Sequence, residues 1–277
     1  MAFERVLVVG AGQMGGGIAQ VLATSGRSVL LHDPQPGAVE RARTAMATSI
    51  ERLNRKGAGI DADAVLARVE GVDDLAPADL LIEAIVEDAA VKEDLFRRAD
   101  AVLPEGAVLA SNTSSIPITR IAAATSRPER VVGMHFFNPV PVMQAVEIIR
   151  GLQTADEVVD AIVALGRELG KTTAVVRDVP GFAANRVLMP LLAEAIRALE
   201  SGVASAEDID AMVQLGLAHP MGPLRLADLI GLDTCLSIAE VLQRELGEDK
   251  YRPAPLLRQY VAAGWLGRKT GRGFYKY

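Results

Sequence analysis

Apolar residues recur along this chain with two alternating rhythms up to about residue 178 and with only one rhythm afterwards. Glu4–Val9 is dominated by apolar residues and is closed by Gly10, as expected for a strand buried on both faces. From Met14 to Ser25 the apolar residues Met14, Ile18, Val21 and Leu22 follow helical spacing, and Gly26 stops the pattern. Ser28–His32 reads as a second strand. Strand, helix and strand with such short connections predict a parallel pair joined by a right-handed crossover. Ala38–Lys56 continues as a long helix, broken at Gly57-Ala58-Gly59, and Asp61–Arg68 adds a short one. Leu80–Ala84, Ala107–Ala110, Val131–His135, Gln144–Ile149 and Thr172–Val176 read as strands, with helices over Val91–Val102 and Ala155–Leu169.

The texture changes at Asp178-Val179-Pro180-Gly181. Beyond it the pattern is nearly all helical: Phe182–Glu200, Ala206–Leu215, Arg225–Leu246 and Ala254–Ala263. The expectation is an α/β chain, with a doubly wound Rossmann-type sheet over residues 1–178 and an all-helical domain over 179–277. The second part is rich in apolar positions (Leu188, Met189, Leu191, Leu192, Ile196, Leu226, Leu229, Ile230 and Leu236), which could be core or could face a second copy.

Composition narrows the class. Half of the 277 residues are apolar and 23% are charged, as in an ordinary globular protein. The net charge of −6 disfavours a nucleic-acid surface, although a local basic patch can still hold phosphates. No apolar run is long enough to span a bilayer, and the opening residues lack the form of a cleavable signal. A single cysteine, Cys235, excludes an intrachain disulfide and suits a reducing compartment, so the cytoplasm is expected. Its apolar neighbours read as a buried small side chain. No spacing of His, Cys and acids suggests a metal site.

Gly10-Ala11-Gly12-Gln13-Met14-Gly15 is a G-x-G-x-x-G run placed where it carries meaning, after a strand and at the start of a helix. Gly10 permits the tight turn, Gly12 lets a pyrophosphate approach the backbone, and Gly15 allows helix to pack on strand. The helix start offers N–H groups to phosphate. Asp33 ends the second strand, where a carboxylate accepts from an adenosine ribose and repels a 2′-phosphate. The expected cofactor is therefore NAD rather than NADP.

His135 ends a strand in Val131-Val132-Gly133-Met134-His135-Phe136-Phe137-Asn138-Pro139. Asn138-Pro139 forces a turn, and Glu147 follows on a returning strand. Adjacent strands could set the carboxylate against the imidazole, fixing its tautomer and stabilising its charged form. Alcohol oxidation needs such a base. By spacing alone a structural histidine is the stronger reading of His135. His32 reads as a strand-end side chain near an adenine, His219 as a structural or interfacial loop residue, and Glu200 as a solvated helix end. Ser114 lacks the G-x-S-x-G setting of an acyl nucleophile.

Ser111-Asn112-Thr113-Ser114-Ser115, His135–Pro139, Glu147 and Gly181-Phe182-Ala183-Ala184-Asn185-Arg186 occur in this order. Pro220-Met221-Gly222-Pro223 and the closing stretch Gly264–Tyr275 follow. Together they resemble the L-3-hydroxyacyl-CoA dehydrogenase family, including its bacterial 3-hydroxybutyryl-CoA type, over essentially the whole chain. The resemblance implies His135 as catalytic base, Glu147 as its partner, and Ser114 and Asn185 as holders of the substrate's C3 oxygen, with Asn185 supplied by the second domain. It implies cofactor contacts for Glu87, Lys92 and Asn112 beside Gly10, Gly12, Gln13, Met14, Gly15 and Asp33. It also implies an acyl-CoA partner and a homodimer through the helical domain, with neither nucleic acid nor membrane involved. The expected settings are fatty-acid and butanoate metabolism, and the chain, from Met1 to the closing motif, is expected to be complete and monofunctional.

The family also uses a helical excursion at Arg41–Lys56 to cover CoA, which makes Ser49, Arg52 and Lys56 the candidate phosphate contacts; a solvated helix face is the plain alternative. Two other readings stay open. One is an NAD-dependent dehydrogenase of a free 3-hydroxy acid such as gulonate. A hydroxyisobutyrate type would need a lysine that Gly181–Arg186 lacks. The other is a non-catalytic NAD-binding protein, which losing His135, Glu147, Ser114 or Asn185 would have favoured.

Overall fold

The apolar runs assemble into one sheet. The computed structural model describes residues 3–277, and Met1, read as the start of the chain, lies outside them. The elements in chain order begin with β1 (Arg5–Val9), α1 (Gln13–Thr24), β2 (Ser28–His32), α2 (Ala38–Asn54), α3 (Ala62–Ala67) and β3 (Val69–Val72). They continue with β4 (Leu80–Glu83), α4 (Ala89–Val102), β5 (Val108–Ser111), α5 (Ile118–Ala122), β6 (Val131–Phe136), β7 (Ala145–Arg150), α6 (Asp156–Glu168) and β8 (Thr172–Arg177). Among the described residues the sheet has eight strands in the order β3-β2-β1-β4-β5-β6-β7-β8. All neighbours run parallel except β6 and β7, which are antiparallel. The order reverses between β1 and β4, and the crevice at such a switch point is where open α/β sheets bind ligands.

The central strands β1, β4 and β5 are dominated by apolar residues because both of their faces are covered. Val6, Leu7, Val8, Leu80, Leu81, Ile82, Val108 and Leu109 are all fully buried. Ile18, Leu22, Met46, Ile50, Val158, Ile162 and Leu165 bring α1, α2 and α6 onto one face of this core. The Asp61 and Asp88 carboxylates accept from Ala64 N and Val91 N and so cap the starts of α3 and α4.

One strand escapes the sequence pattern. Val69-Glu70-Gly71-Val72 is short, polar at one position and unbranched at another, yet it pairs with β2 as the sheet's edge. An edge strand buries little, so it leaves little periodic signal.

The chain divides into two compact units, the first ending at Val179 and the second spanning Pro180–Tyr277. The second contains α7 (Ala184–Glu200), α8 (Ala206–Ala211), α9 (Pro223–Ile230), α10 (Leu232–Leu246) and α11 (Pro255–Ala262). The single helix expected over Arg225–Leu246 is two, because Gly231 takes a φ of 104° between them. The helix expected to run to Leu215 widens into a π turn over Met212–Gly216. Glu200 is exposed, as expected, but its Oε1 also accepts from Leu256 N at 2.9 Å and ties the start of α11.

The unit's own core takes most of the apolar positions noted above, including Leu188, Met189, Leu192, Ile196, Leu226, Ile230 and Leu236. Leu229 is exposed, and further exposed apolar surface lies on Val187, Val203, Met212, Leu215 and Leu217. Cys235 is buried, and burial pushes its thiol pKa up to about 12. No helix among the described residues is long and apolar enough to cross a membrane.

Candidate active site

The glycine run lies at the switch point. Gly10 leaves β1 with a φ of 101°, and a methyl group there would stand 2.5 Å from Ala84 O. A methyl group on Gly15 would meet Gly10 O at 1.7 Å, so α1 can pack this closely only without a side chain. Gly12 differs: a methyl group there meets nothing within 4 Å. It starts α1 with no side-chain cap, so the N–H groups of the first turn are not used by a neighbouring side chain. Asp33, just after β2, accepts from Ala11 N at 2.8 Å through Oδ2 and from Gln35 N at 2.9 Å through Oδ1. The open position, the uncapped helix start and the acid at the strand end fit a dinucleotide. Gln13 is exposed at the helix start, and Met14 packs against the core. His32 is buried, with Nδ1 3.1 Å from Val72 O.

Gly12 and Gln13 also line a cavity of about 430 Å³, with Arg41, Ser49 and Arg52 from α2 and the turn Asn138–Pro141. Lys56 lies beyond the end of α2 and is not part of that lining.

His135 and Glu147 stand opposite each other in the antiparallel β6–β7 register. The His135 Nδ1 to Glu147 Oε2 distance is 2.9 Å, and both residues are buried. An ionised carboxylate only accepts, so Nδ1 carries the proton and donates, and Nε2 is left as the basic ring atom. The Phe137 ring packs 4.8 Å from the imidazole, centroid to centroid. Asn112 secures the same strand end by accepting from Phe136 N at 2.8 Å through Oδ1.

Beside this pair lies a second polar group. Glu87 Oε1 gathers the Ser114 loop: it accepts from Thr113 Oγ1 at 2.6 Å, Ser114 N at 2.9 Å and Ser115 N at 3.1 Å. The hydroxyls of Ser114 and Ser115 lie 3.3 and 3.0 Å from the same oxygen. Lys92 Nζ is 3.2 Å from Glu87 Oε2 and 2.5 Å from Glu83 Oε1. Burial opposes ionisation of Glu87, but the Lys92 ammonium and the hydrogen bonds from Thr113 and Ser114 outweigh it and hold the carboxyl below its usual range. Sequence reasoning passed over Glu83. Its signal was an acid closing the otherwise apolar strand Leu80-Leu81-Ile82 on the ligand side of the sheet.

Asn185 is buried in the first turn of α7, in the second unit. His219 lies in the loop after the π turn and donates its N–H to Val213 O.

Residues 5–179 match the 3-hydroxyacyl-CoA dehydrogenase NAD-binding domain, and residues 181–277 match that family's C-terminal domain. The chain belongs to the 3-hydroxyacyl-CoA dehydrogenase family. A 3-hydroxybutyryl-CoA dehydrogenase of Bradyrhizobium diazoefficiens is 51% identical over 99% of this chain and 95% of its own length. The crystal structure of M. tuberculosis FadB2 superposes with a TM-score of 0.97 at 46% identity, each chain being fully covered. That of (S)-3-hydroxybutyryl-CoA dehydrogenase PaaH1 from Ralstonia eutropha gives 0.95 at 48% identity, covering 100% of this chain and 99% of the other. As a member of this family, the chain carries an NAD-binding domain in its first unit.

Proposed function

We propose that this chain is an NAD-dependent 3-hydroxyacyl-CoA dehydrogenase that interconverts 3-hydroxybutyryl-CoA and acetoacetyl-CoA. The observation that carries the reading is the buried His135–Glu147 pair on the ligand side of the sheet, in a chain that matches family members along its full length.

In the oxidising direction His135 Nε2 takes the proton of the C3 hydroxyl, and in reduction it returns that proton. Bound NAD supplies the redox chemistry by accepting or returning the hydride at C3. Glu147 keeps Nδ1 protonated and stabilises the imidazolium that forms. Ser114 and Asn185 are the donors to the C3 oxygen, where negative charge develops. Glu87 fixes the loop that carries Ser114. Gly10, Gly12, Gly15 and Asp33 hold the dinucleotide, with Gln13, Met14, Lys92 and Asn112 beside it. Ser49, Arg52 and Lys56 hold the CoA phosphates. Support for the first two comes from their common cavity.

The reading extends to a cytoplasmic homodimer assembled through the second unit. The exposed Met212, Leu215 and Leu217 support the dimer, and the lone cysteine suits that compartment.

Following NADH absorbance with acetoacetyl-CoA tests the reading, with free acetoacetate and NADPH as parallel arms. Rapid loss confined to NADH with the CoA ester is expected. Loss with the free acid and none with the ester would overturn it and leave Arg52 and Lys56 as a solvated face.

A further inference from the structure

Glu83 is fully buried at the end of β4, one strand from the glycine turn, and every contact it makes is a donor. Its Oε1 accepts from Ile85 N at 2.7 Å and pairs with Lys92 Nζ at 2.5 Å. Its Oε2 accepts from Ser111 Oγ at 2.6 Å on the neighbouring strand β5. Lys92 is equally inaccessible, at 1% exposure, whereas Glu87, its second carboxylate, is 38% exposed. A lysine ammonium is seldom left in a protein interior, because desolvation favours its neutral form unless a countercharge is fixed beside it. Glu87 is the weaker countercharge, since it stands farther from Nζ, at 3.2 Å against 2.5 Å for Glu83, and is only partly buried. Glu83 is closer and fully buried, and the Ile85 backbone N–H just beyond β4 and the Ser111 hydroxyl hold its carboxylate in place.

We propose that Glu83 is the positioning residue of the cofactor side of this site: a built-in counter-ion that holds the buried Lys92 in place, and through Lys92 sets Glu87 and the Ser114 loop. This rests on the reading that Lys92 and Glu87 face the bound cofactor. Glu83 itself touches neither cofactor nor substrate. The part of its effect that depends on charge passes through Lys92 Nζ and vanishes when that atom is gone, while Ser111 Oγ, which donates to Glu83 and accepts from Thr113 N, is a second and neutral link to the same loop.

The test uses the full chain with Glu83→Gln, Lys92→Met and the two combined. NADH affinity is read by fluorescence titration, and folding is read separately by thermal unfolding. Glu83→Gln keeps the shape and removes the charge: its amide oxygen can still accept from Ile85 N, while its amide nitrogen faces Ser111 Oγ as a donor. About a tenfold weaker NADH affinity is expected for it, the size of one broken second-layer contact. Lys92→Met strands the Glu83 carboxylate without its cation and should lower the unfolding temperature sharply. The double variant should unfold at a higher temperature than Lys92→Met alone, while its NADH affinity stays weak. Unchanged NADH affinity in Glu83→Gln would overturn the proposal, as would a double variant no more heat-stable than Lys92→Met. A double variant that binds NADH like the unmodified chain would instead remove Lys92 and Glu87 from the cofactor site, and with them the reading on which the proposal rests.

Discussion

Each unit buries carboxylates, and the two sets are held differently. In the first unit Glu147 meets an imidazole and Glu83 meets an ammonium, so both carboxylates face side chains that gain or lose a proton. In the second unit Asp210 accepts from Leu224 N, Arg225 N and Tyr275 Oη. Asp228 there accepts from Phe274 N, Tyr275 N and Tyr277 Oη. Gly273 presses on that carboxylate so closely that a methyl group would stand 1.9 Å from Oδ1. The second set therefore clamps the end of the chain and leaves no room for a ligand. A buried acid is thus a poor sign of chemistry by itself; the kind of partner it faces decides.

Variants can break this contrast. Replacing Glu147 with Gln removes the charge that steadies the imidazolium, and turnover should fall by about 10²-fold at the low end for acid–base groups. Steady-state rates with a thermal-unfolding control check it. Asp228→Ala should do the opposite. It leaves two N–H groups and a hydroxyl without their acceptor, so unfolding free energy should drop by about 2–3 kcal/mol. Turnover per folded molecule should not change.

Asp228 and Glu87, one carboxylate from each unit, differ in the sign of their pH response. Burial is the main cause that pushes the Asp228 carboxyl above its usual range, beyond what the bonds from Phe274, Tyr275 and Tyr277 restore, and nearby Asp210 adds to it. A raised folded value means stability that is full below the unfolded pKa of about 3.9 and is lost as pH rises through the folded one. Glu87 is held below its usual range, so its contribution is present above about pH 4.3 and is lost as pH falls through the folded value. Unfolding temperatures from acid to neutral pH should therefore show the unmodified chain losing ground to Asp228→Asn as pH rises and gaining on Glu87→Gln. Parallel curves would show that neither carboxylate is linked to folding. The smallest effect belongs to an exposed charge: Arg52→Ala should raise KM for the CoA ester by at most about fivefold, the scale of a solvent-screened contact.

Much of this was legible before the fold was known. The apolar runs of β1, β2, β4 and β5 declare a parallel sheet because burial on both faces removes polar positions, and the glycine run carries its meaning in its place between β1 and α1. The register that sets His135 opposite Glu147 was foreseeable from a strand, a forced turn and a returning strand. The unforeseen elements lack such signals. β3 buries too little to show a period, and Gly231 interrupts a helical pattern that continues on both sides of it. Glu83 offered only the sign of an acid closing an apolar strand; its pairing becomes legible when α4 folds back and brings Lys92 to it, a contact between residues nine apart in sequence that no strand or helix period encodes.

The central claim is that His135 is the group that exchanges the proton at C3. The most direct measurement is the rate of NADH-dependent acetoacetyl-CoA reduction by His135→Gln, in protein whose unfolding temperature matches that of the unmodified chain. The account predicts a loss of about 10²–10⁴-fold. A rate close to the unmodified one would contradict it and return His135 to a structural role.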